Sequence, residues 1–339
     1  MLKRILKYLV LPALGFFLLS EAFLRRQPDV EASVQERRMH CVDDSGLVFL
    51  CKDRSQKLQS PVGGQWLLST NRYGERITHP LELSPDSPVS ESNPTVKEVW
   101  VIGDSIAMGY LLSDAFSPPY VLSQITGIRT RNLGVDSLGT RGIQLRLKDA
   151  LSYRAIVPQH IFWIYNVSDY QDDFREEKLL NDRLYRLAYR IHFNLAKLSY
   201  LYATTRLSHQ VALAPIEQEI KIPDNHPTIG YLRSFAQFIK EHDLPLTVIF
   251  YPGMLGSGKP DLKDPYRKMS MKILKEEGID VLDLTPEFLG RDGMYIKANG
   301  HPTEKAASIF ASAMAGKLVY RFPRQFDREA MVKAGFIDL

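Results

Sequence analysis

From Lys97 onward, short apolar runs alternate with amphipathic stretches. Runs at Glu98–Ile102, Thr130–Gly134, His160–Tyr165, Leu246–Tyr251 and Val281–Leu284 are the strand candidates. The spacing predicts helices at Ser105–Leu112 with Tyr120–Thr126, at Arg141–Leu151, over about 176–208, and at Thr228–His242, Lys263–Glu277 and Glu304–Tyr320. Strands separated by helices predict an α/β fold, a parallel sheet with helices on both faces. Residues 96–321 form that domain, with a helical insertion at about 171–226. In such sheets the chemistry sits at the carboxyl ends of the strands.

The flanks read differently. Residues 27–95 look like an irregular lead-in, and Leu81–Pro94 (LELSPDSPVSESNP) has the composition of a linker or surface loop. Residues 322–339 form a C-terminal tail with the look of a short appended helix. The N-terminal 1–26 holds an apolar run from Tyr8 to Leu24, preceded by Lys3, Arg4 and Lys7 and closed by Arg25 and Arg26. A cleaved signal peptide would want small residues, and Ser20-Glu21-Ala22 matches that poorly. A core helix would not usually carry cations at both ends. A signal anchor, an N-terminal transmembrane helix with the body outside the cytoplasm, fits best.

Composition narrows the classes further. The chain has 339 residues, 45% hydrophobic and 24% charged, the profile of a folded soluble body rather than a disordered or multi-span chain. The formal net charge of +4 is contributed entirely by residues 1–26, so the body is balanced and offers no general pull on nucleic acid. Cys41 and Cys51 are the 2 cysteines, with Asp-Asp-Ser-Gly between them as a turn. In an oxidising compartment they can face each other as a disulfide; two separate thiols are the other reading. A zinc site is not expected, because His40 is the only further ligand nearby.

The first strand runs into VWVIGDSIAMGYLL, which places Ser105 at a strand-to-helix turn. There its hydroxyl faces a cleft and its N–H lies at the positive end of a helix. Ser is also a preferred helix cap, so the tripeptide alone leaves both readings open. Of the 8 histidines, His301 alone stands in a loop immediately before the last helix, with Pro302 fixing the entry. The Gly253–Lys259 segment (GMLGSGK) fits part of a phosphate-binding loop, but Pro260 stands where the Ser or Thr should be, and a glycine-rich surface loop is the better reading. Tyr185, Tyr189, Tyr200 and Tyr202 in the long helical tract read as core packing, with a lid or an amphipathic face near the membrane or substrate as the alternative.

VIGDSIAMG, NLGVDSLGTRGIQL, FWIYNVSDYQDD and NGHPTEKA, in this order and spacing, resemble the four blocks of the SGNH/GDSL hydrolase superfamily. STNRYGERI also resembles the Asn-x-x-Gly-x-Arg lead-in of membrane-anchored bacterial members. The resemblance covers roughly residues 70–321. It implies a three-layer flavodoxin-like fold and ester or acyl chemistry without metal or cofactor. It also implies Ser105 as the nucleophile and His301 as the general base, forming an acyl-enzyme that water or a sugar hydroxyl then resolves.

Three positions depart from the family pattern. The oxyanion glycine falls on Ser137, with Gly134 and Gly139 on either side. Ser168 occupies the place of the oxyanion Asn, with Asn166 and Asp169 beside it. Asn299 stands where an Asp would orient the imidazole, leaving Asp283 and Asp292 as carboxylates that could reach in from elsewhere. The sequence therefore supports two readings. One is a membrane-anchored extracytoplasmic esterase or O-acyltransferase acting on an acylated envelope glycan or lipid, with a membrane acyltransferase as a candidate partner. The other is a degenerate member that binds a glycan or a membrane partner without catalysis.

Overall fold

The computed structural model describes residues 10–60, 62–83, 97–154, 156–204, 225–256, 258–297 and 299–323. Most of the expected linker (84–96), of the insertion's second half (205–224) and of the tail (324–339) therefore lies outside the described residues.

Five strands form the central sheet: β5 (Glu98–Gly103), β6 (Arg129–Asn132), β7 (His160–Ile164), β8 (Leu246–Phe250) and β9 (Asp280–Asp283). They pair in parallel in the order β6-β5-β7-β8-β9, the 2-1-3-4-5 arrangement of doubly wound sheets. The three inner strands β5, β7 and β8 are largely apolar runs because both faces are covered. Trp100, Ile102, Trp163, Val248 and Phe250 face one layer, built from α5 (Thr140–Arg154), α8 (Pro227–Glu241) and α9 (Pro265–Glu276). Val99, Val101, Phe162, Ile164 and Ile249 face the other, built from α4 (Pro118–Thr126) and α11 (Glu304–Arg321). Short helices α3 (Ser105–Met108) and α10 (Thr285–Phe288) follow β5 and β9.

The lead-in is ordered rather than irregular. It holds α2 (Pro28–Met39), a hairpin of β1 (His40–Val42) and β2 (Val48–Leu50), and a hairpin of β3 (Arg54–Gln59) and β4 (Gln65–Thr70). A Cys41–Cys51 disulfide crosses the first hairpin. The second is hard to see in the sequence because of β3 only Leu58 is buried; with Trp66, Leu68, Met39 and Leu50 it packs onto Met108 and Leu111, just beyond Ser105. The lead-in thus forms one wall of the region after the first strand.

Buried charge ties that wall to the sheet. The Arg76 guanidinium donates to Asp114 Oδ1 at 2.9 Å and to the carbonyls of Met108 (2.9 Å), Gly109 (2.6 Å), Leu67 (3.0 Å) and Leu112. It thereby fixes the segment following Ser105. Glu75 accepts from Arg154 Nε and Asn71 Nδ2, both at 3.0 Å, while Arg131 pairs with Glu98 at 2.7 Å and Glu82 at 3.2 Å. These bonds give the Asn71-x-x-Gly74-x-Arg76 motif its structural role.

The long tract splits at Asp182, whose carboxylate accepts the N–H groups of Leu184 and Tyr185 and starts a new helix. The result is α6 (Asp169–Asn181), beginning earlier than expected, and α7 (Arg183–Leu198). The N-terminal run forms α1 (Leu11–Leu24), and residues 1–9 lie outside the described residues. No helix among the described residues is long and apolar enough to cross a membrane.

Arg76→Met should lower the unfolding free energy by about 3–5 kcal/mol, because it leaves Asp114 buried without its partner. Urea denaturation measures it, and a loss below about 1 kcal/mol would contradict a bracing role.

Candidate active site

β5 runs out at Gly103, and α3 starts two residues later, with Ser105 as its first residue. Gly103 has φ +145°, and a Cβ there would lie 2.6 Å from the Ile164 carbonyl oxygen and 2.7 Å from Ala107 Cβ. Only glycine fits so tight a turn. The Asp104 carboxylate then caps the short helix, accepting the Ile106 N–H at 2.9 Å.

Ser105, at 5% exposure, directs its Oγ to His301 Nε2 at 2.9 Å. A second acceptor, Asp104 Oδ2, lies farther off at 3.3 Å. The His301 loop folds on itself: Ile296 N–H donates to the His301 carbonyl at 2.7 Å, and the Asn299 and Gly300 N–H groups donate to the Ile296 carbonyl at 3.1 and 3.0 Å. Asn299 Oδ1 accepts from His301 Nδ1 at 2.5 Å and from the His301 backbone N–H at 3.3 Å. With two donors converging on that oxygen, the proton is assigned to Nδ1 and the Nε2 lone pair to the serine. Burial pushes the His301 pKa down to about 4, with the Asp136 charge opposing it. The imidazole is therefore neutral at physiological pH, a weaker base than free histidine but with its Nε2 lone pair available.

Two residues not singled out in the sequence stand behind His301. The Tyr110 ring packs on the imidazole with centroids 4.8 Å apart, and its hydroxyl donates to Glu36 Oε2 of α2 at 3.0 Å. Burial raises Glu36 to about 7. Nothing in the spacing marks either residue, because their partners are distant in sequence.

The expected oxyanion residues come to the same neighbourhood, but most are already engaged. Gly134 donates its N–H to Asn132 Oδ1 at 3.0 Å, and its need for glycine is steric: a Cβ would lie 2.3 Å from Met108 N. Gly139 donates its N–H to Glu176 Oε1 at 2.7 Å. Neither glycine can donate to an oxyanion without losing that bond. Asn166 Nδ2 donates to Asp104 Oδ2 and Ser168 Oγ, both at 2.7 Å, its Oδ1 accepts from Tyr251 at 3.2 Å, and Ser168 Oγ bonds Asp104 at 3.3 Å. These side chains brace Asp104. Asp169 is fully buried; both its oxygens lack a partner among the described residues, and burial, with the neighbouring Asp104 charge, drives its pKa well above the ordinary value. Asp283 accepts from Arg267 at 3.2 Å, and neither it nor Asp292 hydrogen-bonds His301.

Ser137 remains. It adopts φ +61°, the left-handed conformation that favours glycine, and its N–H has no acceptor among the described residues. Ser105 N–H is likewise uncommitted among the described residues. The Gly253–Lys259 loop closes through a Leu255 N–H to Lys259 carbonyl bond of 2.8 Å, and its Met254 lies beside Gly300 of the His301 loop. It is a wall segment of the site, as a surface-loop reading allows. Among the described residues no cluster suits a metal ion.

No family model matches the chain, and no curated protein does. Solved structures similar to it include a lipolytic protein of the G-D-S-L family from Desulfitobacterium hafniense DCB-2, at 15% identity and TM-score 0.41, covering 65% of this chain and 98% of that one. The psychrotrophic esterase EstA from Pseudoalteromonas sp. is similar at 12% identity and TM-score 0.42, covering 67% and 99%. A lipolytic G-D-S-L family member from Veillonella parvula DSM 2008 is similar at 16% identity and TM-score 0.38, covering 68% and 100%.

A base lowered to about 4 should keep Ser105 reactive well below the ordinary histidine range. Labelling by a fluorophosphonate, followed against pH, should show its acid limb there. Asn299→Asp should move that limb upward and speed labelling at neutral pH, by up to about tenfold per unit of pKa raised. A wild-type limb near pH 6.5, unmoved by Asn299→Asp, would contradict the arrangement.

Proposed function

We propose that the chain is a membrane-anchored, extracytoplasmic serine ester hydrolase or O-acyltransferase of the SGNH/GDSL type, acting on an acylated envelope glycan or lipid. The observation that carries the chemistry is the 2.9 Å contact between Ser105 Oγ and a neutral His301 whose other nitrogen is held by Asn299. His301 Nε2 takes the serine proton as Oγ attacks the acyl carbon, and the carbonyl oxygen becomes an oxyanion facing the Ser105 and Ser137 N–H groups. His301 returns the proton to the leaving alkoxide, and the acyl group stays on Ser105. Water or a sugar hydroxyl, deprotonated by the same imidazole, then takes the acyl group and frees the serine.

An amide behind the histidine slows this chemistry without misdirecting it. In the serine-hydrolase template, replacing the carboxylate costs about 10⁴-fold, in part because the wrong tautomer forms. Here the Asn299 carbonyl selects the correct tautomer. What is missing is the charge that would stabilise the imidazolium. Anchoring is supported by the cation-flanked run and by the apolar surface of α1, where Phe16 is 71% and Leu19 73% exposed. The disulfide suits an oxidising compartment.

A second reading, a non-catalytic glycan or membrane-partner binder, is favoured by the commitment of Asn166 and Ser168 to Asp104. Fluorophosphonate labelling of the full chain separates the two. Labelling abolished by Ser105→Ala and slowed about 10²- to 10⁴-fold by His301→Ala supports the enzyme. A folded protein that never labels supports the binder.

A further inference from the structure

Helix α7 turns an apolar stripe outward that nothing among the described residues covers. Leu184, Leu187, Ala188, Ile191, Leu195 and Leu198 recur at helical spacing and occupy an arc of about 100°. Leu184 is 78% exposed, Leu198 76%, and Leu187, Ile191 and Leu195 between 42% and 52%. The opposite face is the one that packs: Phe193 and Ala196 are buried, and the helix rests against α2 and α6. Exposed singly, such leucines would mean nothing; aligned along a whole helix, they mark a contact surface.

Two observations indicate what the surface meets. The first is charge: α7 carries Arg183, Arg186, Arg190 and Lys197 and no acidic residue, its cations gathered on one side of the stripe rather than interrupting it. Arg190 pairs with Asp44, while Arg183 and Arg186 make no ion pair among the described residues. The second is continuity with α1. Immediately after α7, the N–H groups of Tyr200 (2.8 Å) and Leu201 (3.2 Å) and the Ser199 hydroxyl all donate to the Glu21 carboxylate of α1. Leu24 of α1 packs there with Val30, Val34, Tyr200 and Ala203. The exposed apolar residues of α1 and the stripe of α7 therefore belong to two helices pinned together at one point.

We propose that α7 lies in the headgroup–acyl boundary of a bilayer containing anionic phospholipid. Its leucine stripe faces the acyl chains and its arginines face lipid phosphates, beside the point where α1 enters. The inference rests on the anchoring part of the proposed function. It places the site close to lipid, because α2, which packs against α7, also holds Tyr110 on His301 through Glu36.

The test uses the full chain in vesicles of phosphatidylcholine with phosphatidylglycerol, with fluorophores on single cysteines introduced at Phe16, Leu187, Ile191 or Tyr320. The native cysteines form the disulfide and do not compete. Tyr320 is 84% exposed near the end of the 18-residue α11, which leads away from His301. Spin-labelled lipid should quench most of the emission at Phe16, Leu187 and Ile191 and leave Tyr320 bright. Quenching at Phe16 with Leu187 and Ile191 as bright as Tyr320 would overturn the inference and leave the anchor standing, including the case in which residues 205–224 or another protein shield the stripe. Quenching at Leu187 and Ile191 without Phe16 would support the interfacial placement of α7 but overturn the anchor and with it the entry of α1 beside it, and no quenching anywhere would overturn both. Replacing phosphatidylglycerol with phosphatidylcholine should reduce quenching at Leu187; undiminished quenching would overturn the role of charge.

Discussion

A buried imidazole with an amide behind it is driven toward its neutral form, and the arrangement around Ser105 depends on that constraint. Desolvation lowers the His301 pKa to about 4, and Asn299 fixes which nitrogen carries the proton without supplying a counter-charge. The serine hydroxyl therefore meets a lone pair rather than a second N–H. Asp104, one residue away, could compete for that hydroxyl, but Ile106 N–H, Asn166 and Ser168 already donate to it, and its distance to Ser105 Oγ is the longer. Burial also raises Asp104 to about 7, which weakens it as a charged competitor near neutrality.

The scaffold holds this geometry by burying charge in matched sets. Arg76 gathers one carboxylate and four carbonyls around the segment after α3, so the chain leaving Ser105 cannot drift. Beneath the next turn, Glu176 accepts the N–H groups of Gly139 and Gly142 at 2.7 Å each, and burial raises its pKa to about 8. Gly139, which stands beside the oxyanion position in a linear reading, is thus engaged with Glu176. Ser137, strained at positive φ, keeps an N–H with no acceptor among the described residues.

Much of this was legible in the chain because it follows from local pattern. The central strands β5, β7 and β8 are largely apolar runs, and all five strands lie within a residue or two of the ends the sequence predicts. Ser105 and His301 were visible because each sits at a junction with its own signature, a strand-to-helix turn and a Pro-entered helix. The lead-in was not legible: β3 exposes all but Leu58 and the partly buried Gln56, so its two-residue period is faint. The hydrogen bonds of Asn166, Ser168 and Gly139 are not legible in the sequence for a different reason. Each depends on a partner 37 or more residues away, Asp104 or Glu176, and no spacing rule encodes such a pairing.

The claim on which the account turns is the protonation state of one ring, and nitrogen-resolved NMR of the imidazoles through a pH titration reads it directly. His301 should remain neutral, with its proton on Nδ1, down to about pH 4. A His301 that carries its neutral proton on Nε2, or that titrates near the ordinary value of about 6.5, would contradict it.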